Sequence, residues 1–598
     1  MNPLLVFLFC FILAYSTCWI AYITLNKGIS SRSKHQQGFR FATTCLLAST
    51  LFTIHIYSSY AVVFDLKYLY LLLLPLGTCL LRMVTYPLLF HLTNRKSMPE
   101  YDNFMDITFA TYLLGIYMGL STLSIAHHWI IYPLSILECI TLLSCAVQIA
   151  YYLLYKVCID ANGMKTILET HINEIIEFVH SFSPLSVLFG IFLFSGICIF
   201  TFKVNSLLPI EWAVEIVEIP VIVLIVVSLY FLFFTHKSVF SRTGLYTLRK
   251  VIVDYKEKNK AYVENREKRI QTLDVENRYT ESLPHTILMV IGESASRDYM
   301  SAFTPQPRET TPWLSSQKTD TRHFLLFPNA YSCANQTVPT LERALTEKSQ
   351  YNDKEFFESC SIIDIARKSG YATHWYSNQG HLGSADTPIT LVAESCDVAK
   401  WTKQEVGKPQ YDETLIDFLQ ELDPQKNNFL VLHLKGSHFN FINRYPASYP
   451  EAKNTSTNDF EEQYRTSLHY TDHVLQQAFE YCSNHLNLHC MFYFSDHGDC
   501  PLGRRSPDFK GFGPVRIPMF VYCSDQYQVE HPERYEAIQN NKEKYFTNDL
   551  IYDLACGLLD IRSSHFEEQN SLASDTYQFT REELLTNEGR THICEDNN

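Results

Sequence analysis

The sequence predicts a multi-span α-helical membrane domain followed by an α/β/α domain. Two observations carry that expectation. Residues 1–236 are dominated by Leu, Ile, Phe, Tyr and Val, and contain a succession of apolar stretches about 20 residues long, the length that crosses a bilayer core. Residues 281–598 have a mixed composition in which short apolar runs alternate with helical patterns, as in a sheet covered on both faces. A chain of 598 residues suits two or three domains. Its net charge of -14 gives no electrostatic support to a nucleic-acid role.

The apolar stretches fall at 3–25, 40–64, 67–92, 106–126, 129–155, 184–203 and 217–236. One such stretch reads equally well as a buried core helix; a succession of seven does not. The first lacks a basic leading region and a small-residue cleavage site, so it is read as a retained span. The 106–126 stretch, rich in Thr, Ser, Gly and Tyr, is the weakest. Basic residues collect at Lys27, Arg32, Lys34 and Arg40, at Arg95 and Lys96, and at Lys156 and Lys165, in loops on one side of the membrane. The positive-inside rule calls that side cytoplasmic and would put the second half there too.

Residues 237–280 form a connector, charged up to 270, with Leu248, Val251 and Tyr255 interleaved among Lys and Arg. It reads either as an amphipathic helix lying on anionic headgroups or as a solvated linker helix. In 281–598 the candidate strands are 286–291, 371–376, 428–434, 489–495 and 516–523. The candidate helices are 338–346, 361–369, 412–422, 460–484 and 547–560. In sheets of this kind reactive residues gather just past the carboxyl ends of strands.

The polar motifs fall at those places. Gly292-Glu293-Ser294 ends the first strand, and Ser495-Asp496-His497-Gly498 ends a later one. Glu, Asp and His are proper zinc ligands, and a catalytic zinc keeps one position for the reacting group. Each motif alone is weak, since an Asp-His pair is more often an ordinary turn. Thr337, in Ser332-Cys333-Ala334-Asn335-Gln336-Thr337-Val338-Pro339, would sit at a helix N-terminus, where free N–H groups favour an anionic oxygen. It reads as an activated hydroxyl nucleophile or as a plain N-cap. His433-Leu434-Lys435-Gly436-Ser437-His438 lies at another strand end. His438 there can hold a phosphoryl group or protonate a leaving group, whereas His433 belongs within or beneath the strand.

These segments, in this order, resemble the lipid A phosphoethanolamine transferases of the alkaline phosphatase and sulfatase superfamily. The matching run holds Glu293 with Arg297, Thr310-Thr311-Pro312, Ser332-Cys333, Thr337, His433 to His438, Tyr470-Thr471-Asp472 and Asp496-His497. The resemblance implies an alkaline-phosphatase/sulfatase-like fold for 281–598 and one zinc held by Glu293, Thr337, Asp496 and His497. It implies Thr337 as the residue that carries phosphoethanolamine, and His438 beside the acceptor. It further implies phosphatidylethanolamine as donor, a lipid A, core-sugar or glycan acceptor, and a catalytic domain on the periplasmic side of a bacterial inner membrane. That placement opposes the basic-loop pattern.

The chain also departs from the family. Relatives often continue Asp-His-Gly-Glu and then present a further His; here Asp499-Cys500 follows Gly498, with no His before Pro518. Arg504, Arg505 or Lys510 could serve the phosphate in its place, and a second metal is not expected. The alternatives are a phosphoglycerol transferase of the lipoteichoic acid type, a sulfatase or phosphodiesterase, and a membrane sensor without activity. A formylglycine sulfatase needs Cys or Ser where Thr337 stands. A sensor would lack ligands that are present here.

Of the seventeen cysteines, nine lie in the second half, which suits an oxidising compartment. Cys360 with Cys396, and Cys482 with Cys490, are candidate disulfides.

Overall fold

The computed structural model describes residues 3–25, 34–58, 70–92, 101–156, 158–160, 163–164, 167, 175–176, 179, 182–207, 218–277, 283–381, 387–403, 408–456, 458–501 and 511–597. The chain divides into two compact units, one of residues 1–168 with 182–254, the other of 169–181 with 255–598.

The first unit is helical: Pro3–Leu25, Lys34–Ser58, Tyr70–Leu92, Asn103–Ala126, Ile131–Tyr155, Pro184–Ser206 and Glu218–Tyr230, the last continued by Phe231–Thr235. Among the described residues, 6 helices are long and apolar enough to cross a membrane, and Pro3–Leu25 carries a shorter apolar stretch, Leu8–Ile20. The weakest predicted span becomes the most enclosed of the six, Asn103–Ala126. Its hydroxyl and glycine content, which lowers its apparent hydropathy, is what lets neighbours approach. A methyl on Gly115 would lie 2.9 Å from the Ala48 Cα, and one on Gly119 would lie 2.7 Å from Ile225. Pro184–Ser206, by contrast, is mostly exposed, with Thr201, Val204 and Asn205 buried near its end.

A buried ion pair sits in this unit. Arg82 Nη2 lies 2.6 Å from Asp106 Oδ1, with Tyr86 stacked under the guanidinium. The other carboxylate oxygen, Asp106 Oδ2, accepts from the Gly244 N–H at 3.2 Å. Gly244 is needed there, since a Cβ would meet the Tyr86 ring at 2.4 Å.

The division between the units falls inside the Gly244–Glu264 helix, within the predicted connector. Leu248 packs with Tyr86, Phe90 and Cys145 in the first unit. Tyr262 stacks on Phe356 in the second, ring centres 4.4 Å apart.

The second unit is built on a seven-stranded sheet. In chain order the strands are β1 Thr286–Gly292, β2 Phe324–Leu326, β3 Ala372–Ser377, β4 Val398–Trp401, β5 Asn428–His433, β6 Leu488–Ser495 and β7 Met519–Cys523. The spatial order is β2-β7-β6-β1-β5-β3-β4. The central strands β6, β1, β5 and β3 run parallel, and β7 is antiparallel to both of its neighbours. Every residue of β1, β5 and β6 is buried, which is why these strands read as unbroken apolar runs.

Alternation divides their side chains between two cores. Ile287, Met289, Ile291, Val431, Phe492 and Phe494 point to one face, beside the helices Thr337–Ala344, Ile362–Lys368 and Ile551–Leu558. Leu288, Val290, Leu432, Met491 and Tyr493 point to the other, beside the long helix Phe460–His485. The predicted strands and helices agree with these elements to within a few residues; 412–422 and 547–560 each split into a short α-helix and a 3-10 turn.

This packing corrects the disulfide pairing. Cys360, Cys396, Cys482 and Cys490 are all free thiols. Cys482 belongs to the core on one face of the sheet and Cys490 to the other, so the sheet separates them. The residue opposite Cys490 is Cys523 on β7.

At the amino ends of β1 and β6, His285 and His489 stack in parallel, 4.2 Å apart. His489 is buried and neither ring nitrogen makes a hydrogen bond; Glu530 Oε2 lies 3.7 Å away. Burial, helped by His285, pulls the His489 pKa down to about 3.

Two outcomes follow from this packing. Asp106→Ala strands a buried guanidinium, so it should destabilise the helical unit by about 3–5 kcal/mol, read as lost thermal stability in detergent. The double variant Arg82→Met/Asp106→Ala should recover most of that loss. The second outcome concerns pH. His489 stays neutral in the fold but binds a proton near pH 6.5 when unfolded, so its stabilising contribution is complete above about 6.5. That contribution is lost as pH falls toward 3, with a slope of roughly 1.4 kcal/mol per pH unit. His489→Phe should flatten the fall in unfolding free energy between pH 6 and pH 5 by about that amount.

Candidate metal and phosphoryl-transfer site

The site lies at the carboxyl ends of the three central parallel strands. The register sets Gly292 beside Ser495 and Ile291 beside His433, so the residues that follow each strand emerge on one edge. Gly292 is the last residue before the turn because a Cβ would meet the Tyr493 hydroxyl at 2.4 Å. The next residues are Glu293 and Ser294, and Ser294 is left-handed at φ 58. That turn aims the Ser294 N–H at Asp496 Oδ1 (2.9 Å) and its hydroxyl at Glu293 Oε1 (2.5 Å).

Asp496 is fixed from the other strand. Its N–H donates to Gly292 O at 3.0 Å, and its Oδ1 also accepts from the His497 N–H at 2.6 Å. Oδ2 makes no hydrogen bond, and burial pushes the carboxyl pKa up. His497 Nδ1 donates to Gly498 O at 2.8 Å, which leaves the Nε2 lone pair facing inward. Nε2 lies 3.3 Å from Asp496 Oδ2 and 3.8 Å from Glu293 Oε1.

Thr337 completes the group. It is the first residue of the Thr337–Ala344 helix, and Gln336 occupies the cap position. The Thr337 hydroxyl donates to Glu293 Oε2 at 3.2 Å and lies 3.4 Å from His497 Nε2. It is half-buried, and so reachable. The segment before it is tied to the Asp496 turn. Ser332 Oγ donates to Asp496 O at 2.6 Å, and Asn548 bridges Cys333 N (2.9 Å) and Asp496 O (2.7 Å).

Two buried carboxylates, an imidazole lone pair and a hydroxyl thus converge, with the ligand atoms of Glu293, Asp496 and His497 within 4.8 Å of one another. Buried like charges at that spacing call for a cation. The unsatisfied Asp496 Oδ2 and the inward Nε2 fit a divalent metal with borderline preference.

The remaining predicted residues are placed differently. His438 is half-buried on the loop after β5, outside the converging group. That loop is clamped to the site: Ser437 N–H donates to Glu293 O at 2.9 Å. Gly436, at φ 51, approaches so closely that a Cβ would stand 2.7 Å from Glu293 O. His433 is buried at the end of β5, edge-on to Trp375, and burial, with Lys435 nearby, pulls its pKa down to about 3. Arg504, Arg505 and Lys510 lie outside the described residues. Of the other motif residues, Arg297 donates to Ala330 O and covers the Tyr331 ring. Asp472 accepts from Trp313 and Leu314 N–H at the start of the Pro312–Gln317 helix.

Three contributors were not singled out from the sequence. Gln379 Nε2 lies 3.4 Å from Glu293 Oε2 and donates to Leu434 O at 2.6 Å. Lys435 Nζ donates to Gln379 Oε1 at 3.2 Å. Asp412 accepts from the backbone N–H of Lys435 (2.7 Å) and Gly436 (2.8 Å), fixing the loop that carries Lys435. The only sequence signal was the position of Gln379 just past the end of β3 and of Lys435 past β5.

The chain is similar to several known proteins. The sulfatase family profile matches residues 285–557. Phosphoethanolamine transferase EptC of Escherichia coli K12 is 27% identical over 290 residues, covering 45% of this chain and 50% of that protein. The Kdo(2)-lipid A phosphoethanolamine 7''-transferase of the same organism is 26% identical over 279 residues, covering 43% and 47%. The chain spans about half the length of the curated relatives it matches. The integral membrane lipooligosaccharide phosphoethanolamine transferase A (EptA) of Neisseria meningitidis superposes with a TM-score of 0.55 at 18% identity, over 84% of this chain and 97% of that one, a likeness of fold. Apolar helices thus stand ahead of a sulfatase-type α/β domain, and over 45% of its length the chain is similar to a phosphoethanolamine transferase.

Proposed function

We propose that the chain is a zinc-dependent transferase that moves phosphoethanolamine from phosphatidylethanolamine to a cell-envelope acceptor. The observation that carries this reading is the meeting of the Thr337 hydroxyl with Glu293, Asp496 and His497. The names of the relatives support the transferred group, and the one named for Kdo(2)-lipid A supports a lipid A-type acceptor, with a core sugar or another glycan as further candidates. The catalytic domain, residues 281–598, is placed on the periplasmic side of a bacterial inner membrane, behind the helices of 1–236 and the connector 237–280.

Glu293, Asp496, His497 and Thr337 would hold the zinc, which supplies a lowered pKa for the threonine hydroxyl and charge neutralisation at the phosphoryl oxygens. Glu293 Oε2, already accepting from Thr337 Oγ1, orients that oxygen and receives its proton. The Thr337 oxygen then attacks phosphorus, the bond from phosphorus to the diacylglycerol oxygen breaks, and His438 gives that oxygen a proton. In the second half an acceptor hydroxyl gives its proton to His438 and its oxygen attacks the same phosphorus, while the bond from phosphorus to Thr337 breaks and Thr337 recovers its proton from Glu293. Lys435, steadied by Asp412 and Gln379, offers a cation to a phosphoryl oxygen.

Thr337→Ala should abolish transfer while the protein still folds and inserts. Intact-mass analysis of parent protein given donor lipid alone should show added phosphoethanolamine, absent from the variant; substantial residual transfer by Thr337→Ala would sink the assignment. Lys435→Ala should slow transfer by roughly 10- to 100-fold with zinc content unchanged, as expected for loss of one charged contact worth about 1.5–3 kcal/mol. Parent-rate transfer by that variant would return the phosphate contact to Arg504, Arg505 or Lys510.

A further inference from the structure

A second group of metal-capable side chains lies apart from Glu293, Asp496 and His497. Glu347, Cys360 and His565 come from three separate segments, and their ligand atoms also lie within 4.8 Å of one another. Glu347 stands just beyond the Thr337–Ala344 helix, and Cys360 just before the Ile362–Lys368 helix. His565 follows the short strand Ile561–Arg562. The first two segments are joined by backbone: Thr346 bridges Ser361, Ile362 N–H donates to Leu345 O at 2.9 Å, and Glu347 N–H donates to Cys360 O at 3.2 Å.

The Glu347 side chain is the hub. Oε2 accepts from the Cys360 N–H at 2.7 Å, which fixes the carboxylate beside the thiol. Oε1 lies 2.9 Å from His565 Nδ1 and 2.6 Å from Lys354 Nζ. Glu347 and Cys360 are buried, whereas the His565 side chain is 30% exposed. A carboxylate, a thiol and an imidazole are therefore gathered at a point with one solvent-facing side.

We propose that Glu347, Cys360 and His565 form a second, structural metal site for zinc or a similar thiophilic divalent ion, with water in the fourth position. The donor set is the argument for the metal class. A hard ion such as magnesium or calcium takes oxygen ligands, whereas sulfur with imidazole and one carboxylate suits zinc. The partly exposed imidazole gives an entry path. The Lys354 ammonium now rests on the carboxylate oxygen that the metal would take. Its side chain is 46% exposed, so it can turn into solvent when a divalent ion arrives. Binding would tie the end of the Thr337 helix to the 360 turn, 13 residues on from Glu347, and to the 565 segment, 218 residues on.

Cobalt distinguishes this site from the catalytic one, because only this one carries a thiolate. Full-length protein in detergent is stripped with chelator and titrated with cobalt(II). The proposal expects a sulfur-to-cobalt charge-transfer absorption in the near ultraviolet, bleached by added zinc. Cys360→Ser should abolish the absorption and lower the bound metal by one per chain. Should that buried variant fold poorly, His565→Ala, at a part-exposed position, should weaken cobalt binding by at least roughly tenfold, as removal of a ligand requires. Thr337→Ala should leave the absorption unchanged, so the result stands apart from the catalytic reading. No absorption in the parent, or an absorption that survives both Cys360→Ser and His565→Ala, overturns the proposal and leaves Lys354, Glu347 and His565 as an ion-pair network.

Discussion

Two carboxylates held a few ångströms apart in a buried place repel each other and are costly to keep out of water. Glu293 and Asp496 are in that position, and much of the surrounding structure serves to keep them there. Each stands one residue beyond a central strand, and the strands are locked in register by parallel pairing. The Asp496 N–H holds Gly292 O, the Ser294 N–H holds Asp496, and the Ser437 N–H holds Glu293 O. A metal would relieve the repulsion that this scaffold maintains. The inward lone pair of His497 and the hydroxyl of Thr337 complete a mixed oxygen and nitrogen set suited to it.

The same constraint explains why so many motif residues never touch the converging group. Ser332 and Asn548 join the segment of Thr337, the proposed nucleophile, to the carbonyl of Asp496. Asp412 grips the backbone of Lys435 and Gly436, and Gly436 leaves room for Glu293 O where any side chain would collide. Asp472 and Arg297 act at greater distance, on a helix start and a strand end. Positioning of this kind is what phosphoryl transfer asks of a protein, since the chemistry needs little beyond alignment and charge.

The sheet was legible because buried parallel strands write themselves as continuous apolar runs, and the strand-tip motifs followed from the rule that places reactive groups there. Glu293, Asp496, His497 and Thr337 could be named together only through a family pattern, because each reads locally as a turn or a cap. The structure then brings these four to one point. What failed to show was contact across the chain. Gln379 and Lys435 lie 56 residues apart and meet only because β3 and β5 are neighbours. Cys490 faces Cys523 because of strand pairing, so spacing to Cys482 misled. In the helical half, composition misled in the opposite direction: the Thr, Ser and Gly of Asn103–Ala126 marked the centre of the helical packing rather than a doubtful span.

A site clamped this tightly leaves little freedom for choosing among acceptors. The ligand atoms are held by backbone, and the Thr337 helix is tied at its start. Selection must then come from side chains that project beyond the clamps. Lys435 is one: its backbone is fixed by Asp412, and its ammonium donates to Gln379. His438 is another, on the half-buried end of the same loop. A cation and an imidazole on one loop beside a phosphoryl centre favour acceptors that bring an oxygen anion or a hydroxyl needing help with its proton. Both kinds occur on phosphorylated sugars, so under the proposed function the loop from Leu434 to His438 is where this chain would select its acceptor.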